Sequence, residues 1–129
     1  MKRLADLGKE RGFSVVAIQY PILKTATDFL DTNQAYRPYS GLWRELRSDE
    51  TARRFSDLGI QFYDRSRDPA AADPFNFFDP AHPSERGILK TIIGLLDQPA
   101  FKALLPKIDK SALQADLALS PGQQFDLYH

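Results

Sequence analysis

Residues 13–21 read FSVVAIQYP, and the fold turns on how this stretch is taken. Val15, Val16, Ala17 and Ile18 are apolar without interruption, too short and too β-branched for a helix, and Pro21 closes the run. Such a segment suits a strand buried on both faces of a parallel sheet. Ahead of it, Leu4, Ala5, Leu7 and Gly8 lie among charges from Lys2 to Glu10, a short helical stripe that Gly12 stops. The same order returns about 45 residues on. Ser48 is placed to cap a helix, Asp49 and Glu50 suit its positive end, and Ala52, Phe55 and Leu58 make its apolar face. Gly59 then ends that helix, and IQFYD at 60–64 reads as a second strand with Ile60 and Phe62 on one side. Two copies cannot stack into an array, so the pattern predicts successive α/β units and not a solenoid.

Between the strands, residues 22–47 hold a short helical stretch, then a polar, aromatic-rich segment with Pro38 and Gly41. It is expected to be a long loop, followed by a helical turn around Trp43. Tyr36, Tyr39 and Trp43 are read as packing over the sheet, with a substrate groove as the alternative. RSRDPAAADPFNFF at 65–78 is a proline-broken loop of the kind that lies over strand ends. A long helix is expected from Pro83 to about Asp97, with Ile88, Ile92 and Leu95 beside Leu89, Ile93 and Leu96 as a wide buried face. After Gln98 only KSALQADLAL looks helical, and the closing SPGQQFDLYH is expected to be frayed. The organisation expected is therefore one α/β domain over residues 1–100 and a partly helical or disordered tail over 101–129.

Composition narrows the function classes. The 129 residues are 43% apolar and 26% charged, as in a globular domain. Seventeen basic side chains balance seventeen acidic ones, and no basic run or arm stands out, so a nucleic-acid partner is not expected. The absence of cysteine removes disulfides, thiolate chemistry and cysteine-ligated zinc. No apolar run approaches membrane-spanning length, and the N-terminus lacks the apolar core of a signal peptide. Compartment stays open.

The segment that carries chemistry is FFDPAHPSERGILK, residues 77–90. Asp79-x-x-His82 has a structural reading: acids and serines are common ahead of helices, proline suits the first helical position, and Glu85 complements the macrodipole. On that reading His82 is the N-cap or its neighbour. The catalytic reading needs an imidazole whose one nitrogen is held by a carboxylate while the other faces a nucleophile. An acid and a histidine three residues apart on a stiff loop can meet in that way. A metal site on Asp73, Asp79 and His82, with His129 the second histidine of the chain, is a third reading, but the spacing matches no established ligand pattern and no metal or cofactor is expected.

DPAHPSERG resembles the last conserved block of the SGNH (GDSL-like) hydrolases, in which an Asp-x-x-His pair precedes a helix and a glycine follows. Asp79, His82 and Gly87 match that block, and the upstream strands, one ending in proline and one in an acid, are similar in order; the likeness covers about residues 4–97. It implies a partial three-layer, flavodoxin-like α/β fold with a parallel sheet flanked by helices. It also implies a serine esterase or acyltransferase acting on a small-molecule or glycan ester, with Asp79 orienting His82 as general base. Relatives are often found in the cell envelope. The family's Gly-Asp-Ser nucleophile block and its oxyanion-hole glycine and asparagine are not found. Ser56 lies inside a helix, Ser84 reads as a local cap, and Asn33 and Asn76 lack the flanking pattern. The chain thus reads as the carboxy-terminal part of such an enzyme, completed by upstream sequence or by a partner chain, or as one that has lost catalysis. An open sheet edge would suit a partner chain or a homodimer. The alternative is a non-catalytic α/β binding or scaffold domain that uses residues 31–47 for recognition.

Overall fold

In the computed structural model, which describes residues 1–119, the chain forms seven helices and two strands. These are α1 (Lys2–Arg11), β1 (Val16–Gln19), α2 (Lys24–Thr32), α3 (Arg37–Leu46), α4 (Asp49–Asp57), β2 (Gln61–Asp64), α5 (Glu85–Leu95), α6 (Pro99–Leu104) and α7 (Lys110–Leu119). Short 3₁₀ turns cover Gln34–Tyr36, Pro69–Ala72 and Pro74–Asn76. The protein is α/β and mostly helical, and its sheet is small. Two compact units are present, one of Met1–Tyr20 with Thr27–Ser66, the other of Pro21–Ala26 with the chain from Arg67 onward. The segment SPGQQFDLYH lies outside the described residues.

In the first unit both strands are delivered in one way. Gly12 and Gly59 are the only positive-φ residues described, at 72° and 73°. At each, the next N–H reaches back to a carbonyl of the preceding helix, Phe13 to Gly8 and Ile60 to Phe55, both at 3.0 Å. This closure satisfies the end of the helix and turns the chain out into a strand. β1 and β2 then pair in parallel, with Val16 opposite Gln61 and Gln19 opposite Asp64. The helix–glycine–strand reading holds in both copies. The expectation that the first strand is buried on both faces does not. β1 is half-buried with Val16 exposed, and its sheet has only two strands, so it lacks both the full cover over its faces and the second neighbour that the expectation assumed.

Residues 22–47 also depart from expectation: they are not a long loop. α2, a 3₁₀ turn and α3 follow closely on one another, with Pro38 in the first turn of α3, where its missing N–H costs nothing. Gly41 sits inside α3 with open space around it. Trp43 is buried, as are Ala5, Ile60 and Tyr63, and the Arg47 guanidinium lies 5.1 Å from its ring centre. Tyr36 and Tyr39 instead stay exposed. Ser48 caps α4 as the sequence suggests, its Oγ accepting the Thr51 N–H.

In the second unit Phe77, Leu95, Leu96 and Phe101 are buried, and α7 lies along α5 with a Lys110–Asp97 ion pair beside them. The buried line of α5 runs through Gly87, Thr91 and Leu95, whereas Ile88 is 41% exposed and Ile92 and Ile93 are half-buried. The wide aliphatic face expected there is thus rotated. Thr91 is accommodated because its hydroxyl donates to the Gly87 carbonyl at 3.0 Å.

Two glycine substitutions report on this architecture with opposite signs. Gly41→Ala is expected to stabilise the protein by about 0.5–1 kcal/mol, the gain of alanine over glycine inside a helix. Gly59→Ala is expected to destabilise it by about 1–2 kcal/mol, since alanine must then take the left-handed conformation. Urea midpoints at constant slope measure both, and a neutral Gly41→Ala contradicts the helix assigned to 37–46.

Candidate functional site: the Asp79–His82 loop

Three Asp-Pro steps shape the path from β2 to α5. At Asp68-Pro69, Asp73-Pro74 and Asp79-Pro80 the aspartate Oδ1 accepts the N–H two residues on, from Ala70 at 2.9 Å, Phe75 at 3.0 Å and Ala81 at 2.8 Å. Proline holds the preceding residue away from helical geometry, and the carboxylate supplies the turn. This repeated dipeptide is the signal in the sequence that marks the segment as built from turns.

The third step carries the candidate site. Asp79 Oδ1 accepts a second N–H, that of His82, at 2.9 Å. The other oxygen, Oδ2, lies 2.7 Å from His82 Nδ1. One carboxylate therefore fixes both the backbone and the imidazole. The loop is closed at its base by a bridge between Phe77 and Pro83, with Phe78 N–H donating to the His82 carbonyl at 2.9 Å. Leu23 N–H holds the Pro80 carbonyl at 2.9 Å. His82 is open to solvent, with 76% of its side chain exposed and 41% of that of Asp79. The Ala81 N–H, then the His82 side chain, then the His82 N–H hold the Asp79 carboxyl below the ordinary aspartate range. An imidazole bonded through Nδ1–H to a carboxylate presents Nε2 as the free acceptor, the form a general base requires.

The helix start belongs to another residue. α5 begins at Glu85 and not at Pro83, and its N-cap is Ser84, with Oγ accepting the Gly87 N–H at 3.3 Å. The same hydroxyl donates to the Phe75 carbonyl at 3.0 Å, and the Ser84 N–H donates to the Asn76 carbonyl at 2.8 Å. Ser84 is buried and engaged on every side, as a cap and not as a nucleophile. His82 is thus released from the capping role that the structural reading offered it.

Asn76, set aside in the sequence for lacking the family's flanking pattern, has a structural role that no motif announces. It is fully buried, its Nδ2 donating to the Ala70 carbonyl at 2.8 Å, and its own carbonyl presses on α5. A Cβ on Gly87 would stand 2.1 Å from that carbonyl oxygen, so only glycine lets the loop base and the helix approach. Lys90 adds an ion pair to Asp73 at 3.0 Å, which commits Asp73 away from Asp79 and His82. Among the described residues no group of three or more His, Cys, Asp or Glu side chains could hold a metal ion, and His129 lies outside them. Ser56 lies within α4, and Asn33 caps the 3₁₀ turn after α2, its Oδ1 accepting the Ala35 N–H at 3.0 Å. Among the described residues no helix is long and apolar enough to cross a membrane. No known family model matches the chain, and neither a curated protein nor a solved structure is found similar to it.

Asp79→Asn is expected to keep the turn but to place an amide NH₂ against Nδ1, shifting neutral His82 from the Nδ1–H to the Nε2–H tautomer, which imidazole ¹⁵N shifts read directly. Gly87→Ala is expected to cost about 1–3 kcal/mol as the loop base is pushed off α5. The pH response follows from the sign of the Asp79 shift. Its folded-state pKa lies below the unfolded value, so its stabilising effect is complete above the ordinary aspartate range and is lost as pH falls through the depressed value. Amide shifts of Ala81 and His82 followed into acid should move with the Asp79 carboxyl carbon and not with the other carboxylates.

Proposed function

We propose that Asp79 and His82 are the acid–base half of an SGNH-type serine esterase or acyltransferase, set in a partial three-layer, flavodoxin-like α/β fold. The observation that carries this reading is the 2.7 Å contact of Asp79 Oδ2 with His82 Nδ1 on a loop that leaves the imidazole exposed. In the proposed reaction Nε2 accepts the proton of a serine hydroxyl as its oxygen attacks an ester carbonyl. His82 then returns that proton to the departing alcohol as the acyl-serine forms. Water or an acceptor hydroxyl, deprotonated by the same nitrogen, releases the acyl group. Asp79 stays ionised throughout and steadies the imidazolium. The serine and the oxyanion donors are contributed outside the Asp79–His82 loop, and no Gly-Asp-Ser motif occurs in the sequence. The parallel pairing of β1 with β2 through a helical crossover is in keeping with the larger sheet proposed.

A second reading, a non-catalytic α/β binding domain, rests on an exposed aromatic row. Phe29, Tyr36 and Tyr39 stand with ring centres 5.3 and 6.2 Å apart, the first pair and the second, and all are open to solvent. Hydrolysis of p-nitrophenyl esters by the product of the whole locus separates the two readings. The expected result is turnover that falls on the order of 10⁶-fold in kcat with His82→Ala and about 10⁴-fold with Asp79→Asn. Undiminished turnover in His82→Ala overturns the catalytic assignment, and an inert wild type leaves the binding reading.

A further inference from the structure

The Asp79–His82 loop also fixes what the imidazole can do where no serine is engaged. An ionised Asp79 can only accept, so the hydrogen of the 2.7 Å contact sits on Nδ1, and the lone pair of the neutral ring sits on Nε2. In an unrestrained histidine the two nitrogens exchange these roles. Here Nε2 keeps the lone pair, on a side chain with 76% of its surface in solvent. The frame behind the ring is backbone. Asp79 Oδ1 accepts the Ala81 and His82 N–H groups at 2.8 and 2.9 Å, and the Phe78 N–H donates to the His82 carbonyl at 2.9 Å. Chemistry at Nε2 therefore breaks none of the bonds that shape the loop.

Such a nitrogen is a nucleophile as well as a base. When Nε2 adds to an acyl carbon the ring becomes cationic, and the Nδ1–H bond to Asp79 then joins two ions. That bond strengthens as the charge develops, so it favours the transition state over the free ring. The leaving group is constrained in turn. A nucleophilic Nε2 carries no proton to give, so the group must depart as an anion. Aryl oxides, thiolates and phosphates can do so, whereas an alkoxide leaves less readily than the imidazole that displaced it.

We propose that His82 is itself an acyl acceptor, taking acyl groups on Nε2 from activated donors such as aryl esters, thioesters and acyl phosphates and passing them to water. This goes beyond the serine chemistry proposed above and rests on the loop alone. Nε2 bonds to the acyl carbon, and the bond from that carbon to the leaving group breaks, its electron pair going with the leaving group. Water then adds to the acyl-imidazolium. The N–C bond breaks with its pair returning to Nε2, the carboxylic acid departs, and one proton passes to solvent.

The test treats the full chain with diethyl pyrocarbonate and, separately, with p-nitrophenyl acetate, at a pH about two units above the ordinary histidine pKa. Mass spectrometry locates the adducts, imidazole ¹⁵N shifts give the ring position, and reversal by hydroxylamine separates histidine adducts from those on amines. The expected adduct is on Nε2 of His82, formed on the order of tenfold faster than on His129 and than on His82 of the urea-unfolded chain. His82→Ala should remove the catalytic part of p-nitrophenolate release, and ethyl acetate should not be cleaved. Asp79→Asn should abolish the rate advantage; if that variant fails to fold, the comparison with the unfolded wild type still decides. An adduct on Nδ1, a His82 rate equal to that of His129 or of the unfolded chain, or a folded Asp79→Asn as fast as wild type overturns the proposal. Cleavage of ethyl acetate by this chain also overturns it, because an alkoxide needs a proton that a nucleophilic Nε2 does not hold. A His82 rate equal to that of His129 leaves the general-base reading standing, which the assay on the whole locus decides.

Discussion

The parallel register of Val16–Gln19 against Gln61–Asp64 is the constraint from which the first unit follows. Two parallel strands cannot be joined by a tight turn, so the chain must leave one end of the sheet and return to the other through a crossover. Here the crossover is helical, made of α2, α3 and α4, and its final helix has to stop just short of β2. Gly59 does this, as Gly12 does for α1, by taking a left-handed conformation that other residues adopt only at a cost. The strands are only four residues each and half-buried. Their pairing is therefore held by the helices that deliver them, with Trp43, Ile60 and Tyr63 as shared core.

What could be read in the sequence was what local chemistry decides. Glycine after an amphipathic run, serine before one, and an unbroken β-branched segment each have a single favoured use, and those elements stand where expected. Residues 22–47 were illegible because Pro38 and Gly41 are helix breakers on average. Proline in a first turn breaks nothing, and a glycine inside a helix costs only about 1 kcal/mol, which packing of Trp43 outweighs. The face of α5 departs from its hydrophobic pattern for a different reason. Hydrophobicity favours Ile88 inward, but the approach of the Asn76 carbonyl demands a residue without a side chain, and only Gly87 qualifies. That close approach of the loop base to the helix, which no periodicity encodes, goes with the rotation of α5.

The candidate site was legible as a pair and not as a structure. Asp-x-x-His gave the partners, while the reason they meet lies in the Asp-Pro step and in Ser84, which takes the cap and leaves His82 outside the helix. The three Asp-Pro turns form one scheme: Asp68 and Asp73 each cap a 3₁₀ turn, and Asp73 also pairs with Lys90. Only at the third does the second carboxylate oxygen turn to an imidazole.

That difference bears on why the imidazole is there. The turn at Asp79 is complete with Oδ1 alone, which accepts both the Ala81 and His82 N–H groups. An exposed pairing of two side chains adds about 0–1 kcal/mol at most, and His82 keeps most of its surface in water. Folding therefore gains little from the ring, and almost any residue at position 82 could supply the backbone N–H that the turn uses. What the ring does gain from Asp79 is a fixed tautomer and orientation, with Nε2 held as an acceptor at the surface. A histidine that serves packing buries its ring; one that serves proton transfer must leave one nitrogen reachable and the other restrained. His82 meets the second description, which is the geometry that the proposed acid–base role requires.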